Sequence, residues 1–314
     1  MGERTFRHGA AMVSTGAQLE ATVHPFVEEG LRAGDMTVLA CSPETVAFLR
    51  RSLGDRAGGL VVDEGVSLRA ARPPDAFVAT RRHMEQASRA PSGRLRILAE
   101  VDFGRDPAGW REGQLFESVC NHFVAQESVT SLCVYDGRRL PAAVVAGAAL
   151  THPLLVSGAS WTGNPSYREP QTFLHSLPRP REAVESGPPA LVVTDAPSLP
   201  ELRHTLGDAL TIHVPDVLQR EDMHLGVSEI AANAFRHGTR PVSARVWADG
   251  NRVICVISDR GTSYNDPLSG FTPAHGLDLS HGGMGLWLAR KLWDHVDVLP
   301  TESGLSVRLS TRLR

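Results

Sequence analysis

The chain has 314 residues, 42% of them apolar and 21% charged, which is a globular composition, and its length favours two hydrophobic cores over one. A formal charge of −3 lacks the basic excess of a nucleic-acid footprint, so direct nucleic-acid binding is not expected. Lys291 is the only lysine, which excludes a GxxxxGK[ST] phosphate loop from the first half.

Leu19, Val23, Phe26, Val27 and Leu31 have helical spacing and predict a helix that closes at Gly34. MTVLAC (36–41) reads as a buried strand, and Ser42 as the N-cap of a helix from Pro43 to Leu53. The strand RLRILAEVDF, a helix from Trp110 to Ala125 and the strand SLCVYD follow. Apolar strands separated by helices predict an α/β domain over residues 1–156, with a mainly parallel sheet covered on both faces. Cys41, Cys120, Cys133 and Cys255 lie far apart in apolar runs. They read as reduced core residues, not as a disulfide framework or zinc site. No apolar signal region opens the chain, and the run Ala142–Leu150 is about half a membrane span, so a cytoplasmic protein without membrane contact is expected.

Residues 157–189 collect Pro165, Pro170, Pro178, Pro180, Pro188 and Pro189 and read as a linker with one short helix. Over residues 190–314 the order changes. The strand ALVVTD, a helix from Ser198 to Leu210 and a second helix after Pro215 come first. VSARVWAD and RVICVISD then alternate with period two around Asp249-Gly250-Asn251, a hairpin signal. A Gly/Ser/Pro-rich loop from Gly261 to Gly283, the helix LWLARKLW and the strands VDVL and LSVRLS complete an α+β two-layer sandwich.

Three segments of this second half carry groups that a bound nucleotide needs. SEIAANAFRHG (228–238) sets Glu229, Asn233 and His237 four residues apart beside an apolar stripe. Asn233 offers a neutral oxygen to Mg²⁺, and Glu229, one turn earlier, can accept a proton from an attacking hydroxyl. DRG (259–261) breaks a strand into a loop, where Asp259 can accept a hydrogen bond from an adenine amino group. HGGMGLW (281–287) opens a helix with glycines, which let backbone N–H groups approach phosphates. Taken singly, each has an ordinary reading as a solvated side chain, a turn former or a tight turn. His237 reads as a supporting residue near the helix end.

In order and spacing, SEIAANAFRHG, DRG and GGMGLWLAR resemble the N, G1 and G2 boxes of the GHKL (Bergerat-fold) ATPases, above all the anti-sigma-factor serine kinases. The resemblance covers about residues 191–314. It implies Glu229 as general base, Asn233 as Mg²⁺ ligand, Asp259 with Gly261 at the adenine, Gly283 and Gly285 at the phosphates, and Ser306 supporting the adenine end. Where the G1 box continues with a glycine or proline, this chain has Ser263.

The first half, through residues 5–44, the helix with Phe116, Glu117 and Asn121, and LCVYDGRRLPAAVVAGAALTHPLL, resembles a MEDS domain. Such domains are sensory, with a RecA-like sheet that lacks the ATPase motifs, which implies a role in sensing an unidentified ligand or partner. His8, His24, His122, Tyr135 and Asp136 are the polar residues of interest there; their spacing supports no metal site.

Together the resemblances imply a regulator that binds ATP and Mg²⁺. It would phosphorylate Ser or Thr of a STAS-type anti-sigma-factor antagonist, sequester a sigma factor, or both; a homodimer is left open. The alternatives are a non-catalytic, nucleotide-dependent binding module and a sensor histidine kinase. The latter's phosphoacceptor candidates are His204, which leaves no room for a dimerisation hairpin before Asn233, and His175, in Pro-interrupted sequence.

Overall fold

The computed structural model describes residues 6–262, 266–272 and 284–314. Two compact units divide at Leu177 and Pro178.

In the first unit, β1 (Arg7–Val13), α1 (Gly16–Ala33), β2 (Met36–Ala40), α2 (Pro43–Leu53) and β3 (Leu60–Val62) come first. They are followed by α3 (Pro73–Ala87), β4 (Leu95–Glu100), α4 (Pro107–Phe123), β5 (Val129–Asp136), α5 (Ala142–Thr151), β6 (Leu154–Ser157), β7 (Ser160–Gly163) and α6 (Pro170–Ser176). The sheet order is β3-β2-β4-β5-β1-β6-β7, parallel throughout except for the antiparallel edge pair β6–β7. Because side chains alternate across a strand, β1 sends Ala11 and Val13 to the face covered by Val23, Phe26, Val27 and Leu49 of α1 and α2. Ala10, one residue away, joins Cys133, Tyr135, Val144 and Ala148 on the other face, beside α5. Local chemistry sets the ends as expected: the Ser42 side chain accepts from Thr45 N, and Gly34 closes α1 in the left-handed conformation (φ 77°). Part of the Pro-rich stretch is regular structure. β7 forms the sheet edge, and Pro170 opens α6 at a first-turn position where its missing N–H has no helical partner to lose. Among the described residues no helix is long and apolar enough to cross a membrane.

The second unit contains β8 (Leu191–Val193), α7 (Leu199–His213), α8 (Val217–His237), β9 (Ser243–Ala248), β10 (Arg252–Asp259), α9 (Gly285–Leu292), β11 (His295–Thr301) and β12 (Gly304–Arg312). An antiparallel sheet in the order β11-β12-β10-β9-β8 carries the helices on one face. The core between the layers holds Leu202, Leu206, Met223, Val227, Ile230, Val253, Cys255, Ile257 and Trp293. The opposite face carries Arg252, Arg308 and Ser310, and the segment before β8 covers it through Glu182 and Glu185.

α8 and α9 pack closely. Trp293, fully buried, donates its ring N–H to Met223 O at 3.0 Å, and a Cβ on Gly226 would stand 2.8 Å from that ring. On an open helix, Gly→Ala stabilises by up to about 1 kcal/mol. Here overpacking reverses the sign, and Gly226→Ala is expected to cost the second unit about 1–3 kcal/mol, read as a lower midpoint of its denaturant transition. A raised midpoint would show that α9 can simply move aside.

Candidate functional site

α8 is the spine of the site, because each expected segment meets it at a different height. Ile230, Ala231 and Ala234 face the core and fix the helix rotation, leaving Glu229 and Asn233 half-buried on an adjoining strip. Glu229 Oε1 lies 3.8 Å from Arg203 Nη2 of α7. One turn on, Asn233 lies against the first residue of α9: a Cβ on Gly285 would come 2.7 Å from Asn233 Nδ2 and 3.3 Å from its Oδ1. Only glycine lets the N-terminus of α9, the positive end of its dipole, approach the amide this closely. His237, in the last turn, is exposed.

Asp259 ends β10 beside the C-terminus of α8, with only 9% of its surface exposed. Its Oδ1 accepts from Thr239 N at 3.1 Å and from Gly261 N at 2.6 Å, while Arg260 N donates to Thr239 O at 2.8 Å. These bonds tie the strand end to the segment leaving α8 and fix the carboxylate's orientation. Among the described residues nothing hydrogen-bonds Oδ2, which stays an acceptor. Gly283 and Ser263 lie outside the described residues.

Ser306 is not brought to this group. It pairs with Ser258, hydroxyl to hydroxyl at 2.7 Å, while the residue paired with Asp259 is Leu305. Ile257 and Val307 point to the helix layer, and Asp259 shares their parity, so Ser258 and Ser306 stand on the opposite face. His204 lies in α7 with its Nε2 3.5 Å from Asp208, and α7 packs directly on α8, which leaves no hairpin between them.

The first unit holds a second concentration of polar groups, seated on the sheet face covered by α4 and α5. His8, Glu117, Cys133 and His152 are all buried, and one potential ligand atom from each lies within 4.8 Å of all the others. Burial opposes the charge of Glu117, but the imidazoles of His152 and His8 outweigh it and hold the carboxyl well below its usual range. Burial, then the Glu117 charge, push the Cys133 thiol well up. Burial, then the His8 charge, draw His152 down. Of the residues expected to matter here, His8 and Tyr135 belong: the Tyr135 ring meets His152 edge-on at 5.6 Å. His24 is half-buried, His122 is exposed and Asp136 pairs with Arg138 at 2.7 Å, so none of the three joins the cluster. Reading the sequence passed over His152 and the grouping of Cys133 with Glu117. Glu117 reaches Cys133 from α4, while the pairing of β1 with β5 and β6 sets His8 and His152 beside them, and no local pattern announces the grouping.

Residues 7–153 match the family model "MEDS: MEthanogen/methylotroph, DcmR Sensory domain", and residues 192–311 match that of the histidine kinase-like ATPase domain. The serine-protein kinase RsbW of Bacillus velezensis is 34% identical over 104 residues, 30% of this chain and 64% of that protein. RsbW of Bacillus subtilis gives the same figures, and RsbW of Bacillus pumilus is 31% identical over 103 residues, 29% of this chain and 63% of its own. The chain therefore spans under two thirds of the length of these curated relatives. The solved structure of the RsbU and RsbW domains of a Mycobacterium tuberculosis protein overlaps 40% of this chain and 33% of its own, at 20% identity and a TM-score of 0.30. By its two family matches, the chain joins a MEDS domain over residues 7–153 to a histidine kinase-like ATPase domain over residues 192–311.

Proposed function

We propose that the second unit binds ATP with Mg²⁺ and phosphorylates a serine or threonine of a STAS-type anti-sigma-factor antagonist, with sigma-factor sequestration as its companion activity. The observation that carries this reading is the arrangement along α8. Glu229 and Asn233 stand one turn apart, Asn233 lies against the opening of α9, and Asp259 is fixed at the helix's far end. Asp259 Oδ2 suits an exocyclic adenine amine, Asn233 Oδ1 suits Mg²⁺, and the α9 N-terminus with Gly285 suits phosphate oxygens. Bound Mg²⁺ supplies charge neutralisation on the phosphates. Phosphoryl transfer is mostly positioning, and Glu229 is the group on this strip able to take the hydroxyl proton. Gly283 is expected to complete the phosphate contacts with Gly285.

The first unit is read as a RecA-like sheet that has given up phosphate chemistry and gates the second as a sensor. Its parallel order and the lack of any lysine before Lys291 support this. The test is a pull-down with the full chain, followed by incubation of what is recovered with labelled ATP and Mg²⁺. Label on Ser or Thr of a captured protein is the expected result. Capture and nucleotide binding without transfer would replace the kinase by a binding module. In the same chain Asn233→Ala is expected to weaken Mg²⁺-dependent nucleotide binding at least roughly ten-fold, the low end of what even outer-shell metal partners contribute. Unchanged binding by calorimetry would remove Asn233 from the metal.

A further inference from the structure

We propose that His8, Glu117, Cys133 and His152 form a buried four-ligand metal site, built for zinc, inside the MEDS domain. The inference does not depend on the nucleotide site. Ligand atoms around a tetrahedral zinc with bonds of about 2.0–2.3 Å stand about 3.3–3.8 Å apart. His8 Nε2 is 3.3 Å from Glu117 Oε2 and 3.4 Å from Cys133 Sγ, Cys133 Sγ is 3.4 Å from Glu117 Oε2, and His152 Nε2 is 3.5 Å from the same oxygen. Four edges of the polyhedron thus already have the length a zinc ion requires.

The hydrogen bonds behind the cluster aim both imidazoles at its centre. Asn121 donates its amide nitrogen to Thr151 O at 2.7 Å and lies near Glu117 O and Ser118 O, so its Oδ1 is what meets His8 Nδ1 at 3.0 Å. An amide oxygen only accepts, so Nδ1 carries the hydrogen, and the neutral ring presents an Nε2 lone pair to the cluster. His152 repeats the arrangement, with its Nδ1 3.0 Å from Ala148 O, which also only accepts. Its Nε2 is fully buried, faces Glu117 and Cys133, and has no hydrogen-bond partner. The buried Glu117 carboxylate requires a cation: without metal a proton on one of the facing rings supplies it, and a metal ion bound by the two Nε2 lone pairs takes that proton's place. Histidines held through their second nitrogen by a carbonyl or amide oxygen are the usual outer shell of a metal site.

Charge and chemistry select the ion. A Cys133 thiolate and a Glu117 carboxylate neutralise one divalent cation, so the filled site buries no net charge. Two imidazoles, one thiolate and one carboxylate oxygen in tetrahedral array suit zinc; magnesium and calcium prefer all-oxygen sets, and copper(II) and nickel(II) square ones. A cavity of about 50 Å³ borders His8, Glu117 and Cys133 beside Phe77 and Phe116.

The experiment is elemental analysis and metal titration of the full chain. About one zinc per chain is expected after purification from zinc-supplemented cells. Cobalt(II) in its place is expected to give the strong visible bands of four-coordinate cobalt and a thiolate-to-cobalt charge-transfer band. Cys133→Ser should abolish that band, and Asn121→Ala, which keeps all four ligands, should lower zinc affinity about 10–100-fold. Circular dichroism checks the fold, and if Cys133→Ser does not fold, the wild-type cobalt spectrum alone decides whether a thiolate ligates. A folded wild-type chain that takes up neither zinc nor cobalt would overturn the proposal and leave a proton as the cluster's cation. A charge-transfer band that survives Cys133→Ser would overturn it as well.

Discussion

Glu229→Gln is expected to slow phosphoryl transfer by roughly 10²–10⁴-fold, the usual contribution of a positioned general base, with little change in nucleotide affinity. The size follows from how little else the substitution alters. Glutamine has the same length and leaves the buried stripe of Ile230, Ala231 and Ala234 untouched, so α8 keeps its place. The Arg203 contact, at 3.8 Å between partly exposed groups, contributes little to stability. What disappears is the ability to hold a proton. Single-turnover assays with a phosphorylatable partner separate the outcomes: unchanged turnover would take Glu229 out of the chemistry, and lost nucleotide binding would make it a structural residue.

Arg308→Met is expected to be the most destabilising single change in the second unit, by about 3–5 kcal/mol. The Arg308 guanidinium, 2% exposed, reaches Asp297 Oδ2 at 2.6 Å and Glu185 Oε2 at 3.0 Å, and donates to Pro180 O at 2.7 Å. Methionine fills most of the volume but removes the guanidinium that both buried carboxylates face, and that lost charge pairing carries the cost. In hydrogen-exchange measurements the amides of β10 and β12 should exchange roughly 10²–10⁴-fold faster, at about 1.4 kcal/mol per tenfold. Replacing Asp297 and Glu185 by apolar residues as well should recover most of the loss. Unaltered exchange in the single variant would show that water reaches the carboxylates.

How much of this could be read from sequence depended on whether the cause was local. The Ser42 cap, the close of α1 at Gly34 and the hairpin around Gly250 are set by residues within a turn of each other, and all three occur. β1 went unread because RHGAAMV contains glycine and alanines and has no β-branched residue before Val13, so nothing local distinguishes a buried parallel strand. α5, AAVVAGAALT, is a short apolar run whose spacing does not separate helix from strand. The site shows the same division. Glu229 and Asn233 share one helix, where spacing dictates the face, whereas Ser306 depends on strand parity, and a one-residue difference sends it to the far side of the sheet. The His8 cluster was the least legible: its members are up to 144 residues apart (152 − 8) and meet only because β1 lies between β5 and β6 with α4 packed over that face.

The covered second face of the antiparallel sheet bears on how portable this half of the chain is. The family match begins at residue 192, yet Pro180, Glu182 and Glu185 supply the acceptors for Arg308 and Arg252, and Gly187 O accepts from the Trp247 ring N–H at 3.2 Å. A second unit excised at the edge of the match would keep Arg308 with Asp297 but lose Glu182 and Glu185, the carboxylates that reach Arg252 and Arg308 from outside it. The natural cutting point for isolating or transplanting this unit lies before Pro178, and the residues from there to β8 travel with it as part of its fold.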